Sequence, residues 1–232
     1  MSGAPYAGLT PDAILDALAT VGFEGDGRLL AMNSYENRVY QVWLDDGRVV
    51  VAKFYRPGRW SDEQILEEHA FALELAAEEV PVVPPLEVDG ATLFGSGGHR
   101  FAVFPRRGGR TPEFDDPSVL EWVGRFVGRI HMVGARRPFA ARPSIEVERL
   151  GREPVAFLLA ADLVPAALRP AWQAAVDQAL EAVVAAFDRV GATRSLRLHG
   201  DCHVGNVLWT DDGPHFVDLD DACNGPAVQD LW

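Results

Sequence analysis

His199-Gly200-Asp201-Cys202-His203-Val204-Gly205-Asn206, followed by Asp218 within Phe216-Val217-Asp218-Leu219-Asp220, decides how this chain is read. Asp201 and Asn206 stand five positions apart. That spacing suits phosphoryl transfer from a metal-bound nucleotide, in which an acid takes the proton of the attacking hydroxyl and an amide helps hold the metal. Asn206–Thr210 and His215–Asp218 read as two short strands joined by the turn Asp-Asp-Gly-Pro at 211–214, which returns the carboxylate of Asp218 to the same place.

A second signal lies upstream. The chain has 21 lysines and arginines, and Lys53 is the only lysine among them. It falls in Val49-Val50-Val51-Ala52-Lys53-Phe54-Tyr55, a strand pattern. An ammonium is a compact point charge, whereas a guanidinium is a wide planar fork, so a lysine kept at one place fits nucleotide phosphates inside a narrow cleft. The plainer alternative is a codon-biased chain with one surviving lysine at a strand edge.

Composition bounds the rest. With 232 residues and 48% hydrophobic content, the chain can bury a substantial core. A formal charge of −13 argues against a general nucleic-acid binder, which needs a basic face. Arg106, Arg107 and Arg110 form a local basic cluster that reads as solvated surface. The sequence has no apolar run of about eighteen residues, and Met1-Ser2-Gly3-Ala4-Pro5-Tyr6 lacks the basic and apolar regions of a signal peptide. Cys202 and Cys223 are too few for a disulfide framework. The expectation is a cytoplasmic protein with neither membrane nor nucleic acid as partner.

The order of elements predicts α+β architecture in two lobes. Thr10-Pro11-Asp12 opens a helix with Ile14, Leu15, Leu18 and Val21 on one face, closed by Gly22. Strands follow at 28–32, 38–44 and 48–55, the last two joined by Asp45-Asp46-Gly47. Ser61-x-x-Gln64 is a capping box for a helix to about Glu78, with Ile65, Leu66, Ala72, Leu75 and Ala76 facing inward. Strands near Thr92–Phe94 and Arg100–Phe104 complete a β-rich lobe, residues 1–104. A hinge starts at Pro105, and residues 105–232 form a helical lobe with helices at 117–133, 147–160 and 165–190. The cleft between such lobes can hold a nucleotide.

This order of parts resembles the aminoglycoside phosphotransferase and choline kinase-like branch of the protein kinase fold, which carries His-Gly-Asp in its catalytic loop. Asn33-Ser-Tyr-Glu-Asn-Arg-Val-Tyr40, Phe101-Ala-Val-Phe-Pro105, Leu198-His-Gly-Asp-Cys-His203, Phe216-Val-Asp-Leu-Asp-Asp221 and Asn224-Gly-Pro-Ala-Val-Gln-Asp-Leu-Trp232 more closely resemble the bacterial stress response kinase A family of serine/threonine protein kinases. The resemblance implies Asp201 as catalytic base, Asn206 and Asp218 as magnesium ligands, and Lys53 on the phosphates of ATP. It also implies Glu68 as partner of Lys53, with Glu67 as the alternative that periodicity cannot separate. Glu36 lies in the turn that stands where other kinases have a glycine-rich loop, and the resemblance implies a role near ATP. An acid beside phosphates is physically odd, and the alternatives are a residue that orders the turn, one that restrains a basic partner, or a solvated loop residue. Because the family continues through further helices, the chain reads as truncated at Trp232, on the acceptor side of the site.

Other chemistries fit less of the sequence. A zinc site from His199, Cys202, His203, His215 and Cys223 lacks paired ligand spacing, so His199 is expected to hold the loop and Cys202 to pack inside. Gly200-Asp201-x-His203 also resembles an element of binuclear metallophosphoesterases, but the upstream Asp-x-His and the later Asn-His pair are missing. A small-molecule kinase acting on an aminoglycoside, choline or similar amino alcohol would use the same machinery. A pseudokinase scaffold would have little use for Lys53, Asp201, Asn206 and Asp218 together.

Overall fold

A computed structural model of the chain describes residues 5–191 and 193–231. Residues 1–4 of the N-terminal stretch and Trp232, the end of the last motif, lie outside the described residues.

Helix α1 (Pro11–Ala19) begins where Thr10 accepts a hydrogen bond from the Ala13 N–H, and it buries Ile14, Ala17 and Leu18. Strands β1 (Gly25–Met32), β2 (Arg38–Leu44) and β3 (Val49–Phe54) follow as an antiparallel meander. Helix α2 (Asp62–Ala77) starts at the full capping box of Ser61 and Gln64. Strand β4 spans Phe94–Ser96 and β5 spans His99–Pro105, giving a five-stranded sheet in the order β1-β2-β3-β5-β4. The Thr92–Phe94 expectation is off by two residues because Gly97 and Gly98, both at positive φ, form the hairpin turn and set the register from Phe94 onward. Thr92 itself is buried and bonds His69.

The sheet and α1 share one core, built on Ile14, Leu18, Val42, Phe54, Phe101 and Val103. On α2 the inward arc holds Ile65, Glu68, His69, Phe71, Ala72 and Leu75. Leu66, expected inside, is 45% exposed, since it sits about 100° around the helix from Ile65.

Helix α3 (Pro117–Gly134) packs its Val123, Val127, Ile130 and Val133 against Phe71, Leu75, Phe216 and Leu219 in the second core. A π-helical turn (Glu148–Arg152) runs into α4 (Glu153–Ala160), and α5 spans Arg169–Val190. The helix expected from Pro165 starts four residues later because 165–168 form a turn. Strand β6 (Leu196–Leu198) pairs antiparallel with β9 (Cys223–Gly225), and β7 (Val207–Thr210) with β8 (Gly213–Phe216). The chain turns between these last two at Asp211 and Asp212, while Gly213 and Pro214 already belong to β8. Gly134 lets α3 lie on β6, since a Cβ there would stand 2.1 Å from the Arg197 carbonyl oxygen. The result is the α+β bilobal arrangement, a β-rich lobe and a helical lobe with a cleft between them. Among the described residues no helix is long and apolar enough to cross a membrane.

Candidate active site

The catalytic-loop segment leaves β6 through Gly200, whose φ of +87° only glycine adopts easily. A Cβ at Gly200 would lie 2.0 Å from the Asp221 carbonyl oxygen. The loop is then fixed from below. Buried Asp230 accepts hydrogen bonds from the backbone N–H groups of His199 (3.0 Å) and Gly200 (2.8 Å), and it pairs with His131 at 3.0 Å. Burial alone would raise the Asp230 carboxyl, but these donors outweigh it and hold it below the ordinary aspartate value. His199 is buried and its Nε2 bonds the Val217 carbonyl at 3.0 Å, which also ties the loop to the strand leading into Asp218. Cys202 packs partly buried against the core, and burial pushes its thiol up to about 12. It is therefore no nucleophile near neutral pH.

Asp201 stands half exposed at the end of this loop. The amide nitrogen of Asn206 donates to the Asp201 carbonyl at 2.9 Å and to its carboxylate at 3.2 Å. With its NH2 so engaged, the Asn206 carbonyl oxygen is the free end of the amide. Asp218 sits at φ 60°, ψ 64°, left-handed backbone that costs a non-glycine residue on the order of 1–3 kcal/mol. The side chain this aims is half exposed and reaches Lys53 Nζ at 2.9 Å.

Lys53 is itself buried, and it also pairs with Asp220 at 3.1 Å. Burial opposes its charge, but Asp218 and Asp220, then Tyr55 and Glu68, outweigh it and hold Lys53 well above the ordinary lysine value. Glu68 does not complete the expected pair: its Oε2 is buried without a hydrogen-bond partner. Burial pushes its carboxyl up to about 7 against the pull of Lys53. The alternative Glu67 points away, accepting the backbone N–H groups of Ala140 (2.7 Å), Ala141 (2.8 Å) and Arg142 (2.9 Å). Of the two glutamates, only Glu68 faces the cleft.

The cleft has a volume of about 300 Å³, and its lining includes Lys53, Glu68, Asn206 and Asp218 together with Phe104, Pro105 and Arg107. Val39, Val51, Val83, Leu208 and Val217 supply apolar lining, and Asn33 and Ser34 of the β1–β2 turn line it too. That size and that mix of apolar walls with a few convergent charges suit a small ligand. The oxygen donors Asn206 and Asp218 fit a hard divalent cation beside phosphates. Glu36 is outside the cleft: it pairs with Arg56, and its carbonyl accepts from the Tyr6 hydroxyl at 2.7 Å.

Four contributors were not singled out in the sequence. Asp220, Asn37, Arg59 and Arg142 join the two lobes: Asn37 Nδ2 bonds Asp220 at 3.2 Å, and Arg59 pairs with Asp220 at 3.3 Å and Asp221 at 2.6 Å. Arg142 is buried and donates to the Ala222 carbonyl (2.5 Å), the Asp220 carbonyl (2.5 Å) and the Gln64 carbonyl (3.3 Å). The alternation of acids at 218 and 220 was the one available signal for Asp220.

Comparison with known proteins places this geometry. The model of the phosphotransferase enzyme family matches residues 28–232. The chain is 51% identical over 224 residues to serine/threonine protein kinase RdoA of Salmonella typhimurium, covering 97% of this chain and 67% of that protein. To stress response kinase A of Escherichia coli K12 it is 50% identical over the same shares. Among solved structures, amicoumacin kinase hAmiN in complex with AMP-PNP, Ca2+ and Ami superposes with a TM-score of 0.76 at 19% identity, over 95% of this chain and 66% of that one. The chain thus spans about two thirds of the length of these relatives. At that identity the solved structure speaks for the fold, while the family match and the 50–51% identical kinases speak for the chemistry. The chain belongs to the phosphotransferase enzyme family and is a kinase of its stress response kinase A branch.

Proposed function

We propose that the protein transfers the terminal phosphate of magnesium-ATP to a serine or threonine hydroxyl of a protein, with nucleotide held against residues 1–104 and the reacting groups supplied by 105–232. One observation carries this: Lys53, Asn206 and Asp218 line a single cleft, and Asn206 donates to the Asp201 carboxylate. Lys53 contacts the phosphates. Asn206 and Asp218 hold the divalent cation, which when bound neutralises charge on the transferring phosphoryl group. Asp201 accepts the proton of the acceptor hydroxyl, and the Asn206 amide keeps its carboxylate aimed. Glu36 acts at a distance, by restraining Arg56 beneath the turn.

Support for a protein acceptor comes from the names of the relatives at 50–51% identity. Net charge favours a cationic acceptor and keeps a small amino alcohol as the second reading. The test uses a form extended to the relatives' full length, with labelled ATP and magnesium, against serine- and threonine-bearing proteins and a panel of amino alcohols. Phosphoserine or phosphothreonine that falls on the order of 10²–10⁴ in rate in Asp201→Asn supports the proposal. Label appearing only on the small alcohols moves the acceptor to the second reading. No transfer to any acceptor overturns both.

A further inference from the structure

Lys53 carries three N–H donors and lies buried, so it needs an acidic partner that stays in place throughout a catalytic cycle. Asp218 is its nearer neighbour, but Asp218 is half exposed and is the carboxylate offered to the cation. Glu68 faces the same cleft without a bond to Lys53. Asp220 differs from both. It is 4% exposed and its Oδ1 forms an ion pair with Lys53 at 3.1 Å without hydrogen-bond geometry, while Asn37 and Arg59 hold its Oδ2 at 3.2 and 3.3 Å. Its backbone carbonyl is pinned by Arg142 at 2.5 Å. The left-handed turn at Asp218 and the 3-10 turn Leu219–Asp221 bring acids 218 and 220 to the same ammonium, while Leu219 between them buries in the core.

We propose that Asp220 is the positioning residue for Lys53, doing from the helical lobe what an α2 glutamate was expected to do from the β-rich lobe. The inference rests on the nucleotide-cleft reading above. Because Asn37 and Arg59 also end on Asp220, it joins Lys53, the β1–β2 turn and the β3–α2 loop at one buried carboxylate.

The test is a double-mutant cycle on ADP affinity, measured calorimetrically at limiting and saturating magnesium. Lys53→Met and Asp220→Asn should each weaken ADP binding by about tenfold, and the double variant by no more than either alone. Adenosine binding should change far less than ADP binding, which a general loosening of the fold would not reproduce. Glu68→Gln should lose less ADP affinity than Asp220→Asn and should add to Lys53→Met. Additive effects of Asp220→Asn and Lys53→Met overturn the proposal. So does a loss that saturating magnesium abolishes, which would make Asp220 a metal ligand instead. If Asp220→Asn does not fold, Asp220→Glu keeps the charge at altered reach and must show the same coupling to Lys53. A wild-type chain that binds no magnesium-ADP fails at the earlier step, the nucleotide reading itself.

Discussion

Helices α2 and α5 are both long and rich in alanine and leucine or valine, yet the molecule treats them oppositely. Six α2 residues are buried, and its polar side chains are tied down as well. Glu67 takes three backbone N–H groups of the 140–142 segment, Gln64 bonds the Ala141 carbonyl at 2.9 Å, and Glu74 pairs with Arg197 at 2.8 Å. None of the 22 residues of α5 is buried, and Val183, Phe187 and Val190 remain open on its surface. A helix clamped to the other lobe by its own side chains cannot swing without breaking these bonds, which holds Glu68 and the cleft beside it in one geometry. The helix beside the cleft is thus held by the rest of the fold, whereas neither α4 nor α5 buries a residue.

The largest expected effect comes from cutting the clamp. Arg142→Ala leaves the buried carbonyls of Ala222 and Asp220 without this donor, removes its bond to the Gln64 carbonyl of α2, and should destabilise by about 3–5 kcal/mol, measured by chemical denaturation. A loss under about 1 kcal/mol would mean that α2 is not held from the helical lobe. Glu68→Gln comes next and has the opposite sign near neutral pH. Below about 4.5 the carboxyl is protonated whether the chain is folded or not, and Glu68 costs nothing. Between there and about 7 the unfolded chain releases the proton while the folded one keeps it, so stability falls as pH rises. At pH 8 the glutamine variant should therefore be the more stable by up to about 3 kcal/mol, with the gain gone at pH 4. A gain that is flat with pH would break the account of a buried, unpartnered acid. The smallest effect is expected on α5: Val190→Ala should change stability by less than about 0.5 kcal/mol, because that side chain is 66% exposed.

What the sequence disclosed follows the same division between local and distant causes. Strand β2 lies where the alternation placed it, at Arg38–Leu44, and α2 starts at its capping box, because period and caps are properties of neighbouring residues. The β6–β9 pair was invisible: three residues on each side give no pattern, and Leu196 meets Gly225 only through the folding of everything between. The same holds at the site. Asp201, Asn206 and Asp218 were legible from spacing, and Lys53 from its rarity. That Lys53 turns to Asp218 and Asp220 while Glu68 stays unbonded depends on a left-handed turn at Asp218 that no composition rule announces. Asp230 was quoted inside a motif without a role, since its partners His131, His199 and Gly200 are 30 or more positions away.

The central claim is that the clamped half of this chain holds a magnesium nucleotide between Lys53 and Asp218, and thermal unfolding tests it most directly. A ligand that binds only the folded state at a hundred times its Kd adds about 2.7 kcal/mol of stability. Magnesium-ATP should therefore raise the melting temperature of the chain, and Asp218→Ala should remove most of the magnesium-dependent part of the rise. A melting curve unmoved by millimolar magnesium-ATP, in a sample shown to be folded, would contradict the account.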